Sequence, residues 1–127
     1  MNDLVMIDTS AWIKYFRNSD SKIADIVQNL IETNKAAICG IIEMEIFNGI
    51  KSKSKLNDYK DLFSEIEYFE MAREDFRNAG MRMSRLRENG ITVSPTDTII
   101  AELCIRNKLN LLTTDADFNH FKELEKI

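Results

Sequence analysis

Four short apolar runs, Leu4–Ile7, Ala36–Cys39, Ile66–Phe69 and Leu109–Leu112, recur along the chain with helix-patterned segments between them. No other feature constrains the fold as much. Each run is of strand length; Leu4–Ile7 and Ala36–Cys39 are apolar throughout, which suits strands covered on both faces, while Glu67 and Asn110 interrupt the other two. Between them, Ile23, Ile26, Val27, Leu30 and Ile31 have helical spacing, with Ser19 or Asp20 as caps. Ala72, Phe76, Ala79, Met83 and Leu86 repeat every three or four residues and stop at Asn89 and Gly90. Further helices are expected over Ala11–Phe16, Ile41–Ile50, around Leu56–Phe63, from Ser94 and Pro95 to about Asn107, and briefly after Asp115. Ile91–Val93 is a candidate extended segment. Strands alternating with helices pair in parallel through crossovers that leave helices on both faces. The expectation is an α/β fold, a three-layer α/β/α arrangement around a central parallel sheet of four or five strands.

The 127 residues are read as a single domain spanning 1–127, long enough to bury a core without disulfide or zinc staples. Cys39 and Cys104 are too few for a disulfide framework and lie in apolar runs, as buried small hydrophobes do. The N-terminal apolar run ends at Asp8, no signal peptide is recognised and no stretch approaches membrane-spanning length, so the expected compartment is a reducing cytoplasm with no membrane partner. The formal net charge of −4 argues against a general nucleic-acid binder, unless the acids are gathered around a cation that changes the local sign.

The acids fall where such a sheet places ligands, at the carboxyl ends of strands. Asp8 follows the first apolar run, Asp115 follows the last, and Asp97 lies in the first turn of a helix after an extended segment. Glu45 sits in an apolar helix, where a carboxylate is costly unless it meets a cation or a donor, while Glu43 is out of phase with it. Each has an alternative local role. Asp8 suits an N-cap. Asp97 suits position N3 of a capping box opened by Ser94, with Pro95 at N1. Asp115 or Asp117 suits the cap of the last helix, and Glu45 can snorkel to solvent. Taken together, four carboxylates at these places fit Mg2+ or Mn2+, hard ions that orient a phosphodiester and activate a water. His120, the single histidine, is read as a surface residue.

These residues resemble the PIN domains, and within them the VapC-type toxins. Val5-Met6-Ile7-Asp8-Thr9-Ser10 is similar to the opening strand of that family, and Glu45-Ile46-Phe47-Asn48-Gly49 to its Glu-Leu-Leu-x-Gly segment. Pro95-Thr96-Asp97-Thr98-Ile99-Ile100-Ala101 resembles its third acidic motif. Leu111-Leu112-Thr113-Thr114-Asp115-Ala116-Asp117-Phe118 resembles its closing Thr-x-Asp-x-Asp-Phe. The resemblance implies a PIN-like fold and a Mg2+- or Mn2+-dependent endoribonuclease restrained by a cognate antitoxin protein. It implies catalytic acids Asp8, Glu45, Asp97 and Asp115, with Asp8, Asp97 and Asp115 on the metal and Glu45 and Asp117 reaching it through water. Thr9, Ser10, Thr113 and Thr114 would support the acids, and homodimerisation follows by analogy.

Lys14 and Arg17, just beyond the first motif, are the candidates for RNA phosphate contacts. The arginines of the long helix, Arg73, Arg77, Arg82, Arg85 and Arg87, are read as a solvated face. Trp12 and Phe16 are either core or an apolar surface for a partner segment. A haloacid-dehalogenase phosphatase wants an acid where Ser10 stands. A phosphoacceptor receiver wants a mid-chain aspartate at a strand end, whereas Asp58 lies in a polar stretch. The remaining alternatives are a non-toxin housekeeping nuclease and a catalytically silent α/β binding module.

Overall fold

Short strands buried on both sides need neighbours above and below. Three of the four runs obtain them in the computed structural model, which describes residues 3–17 and 21–127, while Glu67 and Tyr68 in the third stay exposed. Val5–Ile7 (β1), Ala36–Cys39 (β2), Glu67–Phe69 (β3) and Asn110–Leu112 (β4) form one parallel sheet in the order β3-β2-β1-β4. The helices are Thr9–Phe16 (α1), Lys22–Glu32 (α2), Gly40–Asn48 (α3), Lys53–Ser64 (α4), Arg73–Glu88 (α5) and Pro95–Asn107 (α6), with a 3-10 turn over Ala116–His120. The chain steps from β1 to β2 to β3 in one direction through α1–α4, then returns past β1 to β4 through α5 and α6. Right-handed crossovers therefore put α1–α4 on one face and α5 with α6 on the other. This is the expected three-layer architecture.

Met6, Ile7, Ile38, Leu111 and Leu112 are fully buried in the middle layer. Trp12, Val27 and Ile42 cover one face, and Ile100 and Leu103 belong to the helical layer opposite. Trp12 stacks on Phe16 and meets Phe63 edge to face, so Trp12 is core, while Phe16 is half-buried and Ile13 beside it is exposed. Burying a side chain of this size contributes about 2–3 kcal/mol.

Several expectations need correction. Ile91–Val93 joins no strand; instead the end of the chain pairs with the outer edge of β4 through Leu111 N–H to Glu125 O and Ile127 N–H to Leu111 O. Ser19 and Asp20 lie outside the described residues, and Ser21 caps α2 by accepting from Ala24 N–H. Helix α3 is not buried all round: Ile42 and Ile46 face inward, while Met44 is 55% exposed. Its apolar composition overstated its burial. Phe76, one of the residues whose spacing marks α5, is 58% exposed.

The α5–α6 layer is locked by ion pairs centred on Arg82 and Arg106. Arg82 joins buried Glu102 to Glu123, so it is not part of a solvated face. Arg106 grips fully buried Asp75 with two bonds of 2.7 and 2.9 Å, and Asp75 also accepts from Ala72 N–H. Burial alone would raise the Asp75 carboxyl, but these donors and the guanidinium charge hold it below its ordinary value. Arg106→Met strands a buried carboxylate and is expected to cost about 3 kcal/mol in urea unfolding. Adding Asp75→Asn should recover part of that loss. A single variant as stable as wild type would show that the pair carries no such weight.

Candidate active site

The strand order reverses between β1 and β4, and α/β sheets open a crevice at such a point beyond the carboxyl ends of the strands. Asp8 stands there. Its backbone N–H continues the ladder to Leu112 O at 2.9 Å, and its carbonyl accepts from Ala11 and Trp12 to open α1. Asp8 is thus the N-cap by backbone position, but its side chain makes no capping bond. Instead Oδ2 accepts from Ser10 Oγ at 2.9 Å and from Thr113 Oγ1 at 2.8 Å, and the residue is 5% exposed. Two hydroxyls thus fix the carboxylate while leaving Oδ1 outside these bonds.

Asp115 is reached from the same hydroxyl. Thr113 Oγ1 accepts from Asp115 N–H at 3.0 Å, and Ser10 Oγ accepts from Thr114 N–H at 3.0 Å. Asp115 Oδ1 in turn accepts from Asp117 N–H at 2.9 Å, so Asp115 caps the 3-10 turn. Asp97 enters from the opposite layer. Pro95 occupies the first turn of α6, and Ser94 Oγ accepts from Asp97 N–H at 3.1 Å, the Ser94 half of the expected capping box. Asp97, Asp115 and Asp117 come together closely enough that one carboxylate oxygen of each lies within 4.8 Å of the others. The tightest group therefore includes Asp117 and not Asp8.

Glu45 projects from α3, half-buried, and its Oε1 accepts from Thr9 Oγ1 at 2.9 Å. Glu43 lines a different cavity, with Lys60 and Tyr68. Thr9 and Ser10 thus serve different acids, a division the sequence reading missed. Adjacent residues on a helix diverge by about 100°, so two neighbouring hydroxyls cannot both face Asp8. That geometry was the available signal. Lys14 and Arg17 lie beyond this cluster on α1 and at its C-cap, both exposed.

The electrostatics are one-sided. Burial pushes the Asp97 carboxyl up to about 6, against a lowering contribution from the Ser94 hydroxyl, and the charges of Asp115, Asp8 and Glu45 push it further in the same direction. Four acids distant in sequence therefore feel one another. An arrangement of oxygen donors with unrelieved negative charge is chemically suited to a hard divalent cation.

A PIN domain family model matches residues 5–124. Over 120 residues the chain is 34% identical to the VapC ribonuclease Mb1587 of Mycobacterium bovis, covering 91% of this chain and 90% of that protein. The same values hold for ribonuclease VapC11 of Mycobacterium tuberculosis. Among solved structures, a DNA-bound VapBC from Salmonella typhimurium is similar at 21% identity with a TM-score of 0.81, covering 100% of this chain and 98% of that one. FitAcB from Neisseria gonorrhoeae is similar at 14% identity with a TM-score of 0.80, covering 98% and 96%. At those identities the structural likeness speaks for the fold.

A carboxyl pKa raised in this way costs stability wherever the unfolded chain has already ionised. For Asp97 the cost is absent below its ordinary value of 3.8, grows as pH rises and is complete above about 6. In chelator at pH 7.5, Asp97→Asn is expected to be more stable than wild type by about 1–2 kcal/mol, after allowance for solvent screening. The difference should shrink as pH falls and vanish by about pH 3. Denaturant unfolding at both pH values checks this, and a gain independent of pH would refute the electrostatic cause.

Proposed function

The chain belongs to the PIN domain family, and on that premise we propose that it is a divalent-metal-dependent endoribonuclease acting in the cytoplasm as the toxin of a toxin–antitoxin pair. The observation that carries this reading is the convergence of Asp97, Asp115 and Asp117 within 4.8 Å, in the field of Asp8 and Glu45. The ribonuclease names of the relatives supply the substrate class. Among the described residues no helix is long and apolar enough to cross a membrane.

The donor set fits Mg2+ or Mn2+: it is all carboxylate, and the elevated Asp97 is what a nearby cation would relieve. Asp8, Asp97, Asp115 and Asp117 would hold the ion, with Glu45 completing the acidic shell. When bound, the ion supplies charge compensation at a phosphodiester and an activated water. The chain's own residues do the rest. Ser10 and Thr113 each donate to Asp8 Oδ2 and fix the direction of that carboxylate. Thr9 fixes the direction of Glu45. Without a cation, the clustered carboxylates repel an incoming phosphate backbone, so RNA engagement depends on filling the site. The same negative density suits an Arg or Lys supplied by an antitoxin.

With purified protein, single-stranded RNA and Mg2+ or Mn2+, Asp8→Asn is expected to lower cleavage by about a hundredfold or more, as chelator should for wild type. Glu45→Gln should impair cleavage and Thr9→Val should do so more mildly, while Glu43→Gln, which faces another cavity, should leave it intact. Wild-type rates in Asp8→Asn would overturn the assignment of the site. The toxin reading has its own check. Expression alone should arrest growth, and co-expression with the protein of the adjacent gene should restore it. A purified protein that cleaves RNA but leaves growth untouched would make it a housekeeping nuclease.

A further inference from the structure

Beside the acidic cluster, a groove of about 340 Å3 runs between the C-terminal ends of α1 and α3. Ile13, Phe16 and Arg17 form one wall, and Glu45, Gly49 and Ile50 the other. Glu45 lines the groove, and its charge also acts on Asp97 in the cluster. Trp12 and Tyr59 stack on Phe16 at 5.6 and 4.1 Å, leaving its edge for the groove. Ile13 is 38% exposed at the rim.

Gly49 is the informative residue. Gly40 has a packing reason to be glycine, since an added Cβ would stand 2.9 Å from the Tyr68 hydroxyl. Gly49 has none of that kind: its φ is −88°, and a Cβ would meet Ile46 O at 3.6 Å and Glu45 O at 3.7 Å, ordinary contacts. The fold tolerates a side chain there. Its absence keeps the groove open.

We propose that this groove receives the base of one unpaired ribonucleotide flanking the scissile phosphodiester, with Arg17 on that nucleotide's phosphate. The proposal rests on the ribonuclease reading and names the form of RNA it acts on. The volume lies at the lower end of about 300–1,000 Å3 for small-ligand pockets, enough for one nucleotide base. The walls are apolar where a base needs contact and cationic at Arg17, where a phosphate needs a partner. A stacked duplex would withhold the base, so single strands and loops are the matching substrates.

The test uses a randomised single-stranded RNA pool with sequencing of the cleaved ends. Wild type should show a base preference at one position next to the cut. Gly49→Val, which fills the groove, should lower kcat/KM about tenfold or more and flatten that preference. Ile13→Trp narrows the groove from the other wall at a half-exposed site, and carries the test if Gly49→Val lowers the Tm. Arg17→Gln should raise KM more than it lowers kcat and reduce the slope of log affinity against log salt by about one. Folded Gly49→Val and Ile13→Trp proteins with wild-type rates and preferences would overturn the proposal. So would variants that cut RNA normally but no longer bind the co-expressed partner, since the groove would then belong to that protein. A wild-type protein that cuts no RNA would instead remove the ribonuclease reading beneath it.

Discussion

The junction of β1 with β4 is the constraint on which the rest depends. Strands of three residues offer few ladder bonds, and the bond from Asp8 N–H to Leu112 O extends this one past the end of β1. The same residue then ties its carboxylate to Thr113, whose hydroxyl also receives Asp115 N–H. One threonine oxygen thus couples acids 107 positions apart in a chain whose folding brings its ends together. A slip of one residue would turn every side chain of β1 to the opposite face, so register and site geometry are a single requirement.

Much of this was legible in the sequence because β1, β2 and most of β4 are buried on both faces and therefore apolar without interruption. The acids at their ends could be read for the same reason. Glu45 was identified on a premise that proved only partly sound: α3 is apolar, yet Met44 is exposed, and what holds Glu45 is a hydroxyl on another helix. Asp8 occupies an N-cap position whose backbone and side chain do different things, a distinction that composition cannot carry. The Asp75–Arg106 pair was not anticipated, because its partners lie 31 residues apart and meet only once α5 and α6 have packed.

The molecule separates two kinds of electrostatics. In the α5–α6 layer, buried acids are matched by Arg82 and Arg106, which makes that layer a balanced frame. At the N-terminal end of α6 the pattern reverses, and Asp97 meets charges of its own sign. At that edge the neutral hydroxyls of Ser10 and Thr113 donate to Asp8, and Ser94 Oγ accepts from Asp97 N–H. They orient carboxylates without cancelling them, so the negative potential stays available to whatever cation arrives.

The two edges of the sheet differ in a way that bears on the behaviour of the molecule in bulk. The β4 edge is covered by the residues around Lys126, whereas β3 lies at the other edge with Glu67 and Tyr68 exposed. An open strand is a template for fibril growth, and Tyr68 and Phe69 would favour it. Glu65, Glu67 and Glu70 crowd the same short stretch. Two copies meeting edge to edge would bring these acids face to face, and their repulsion acts as a gatekeeper against filament formation.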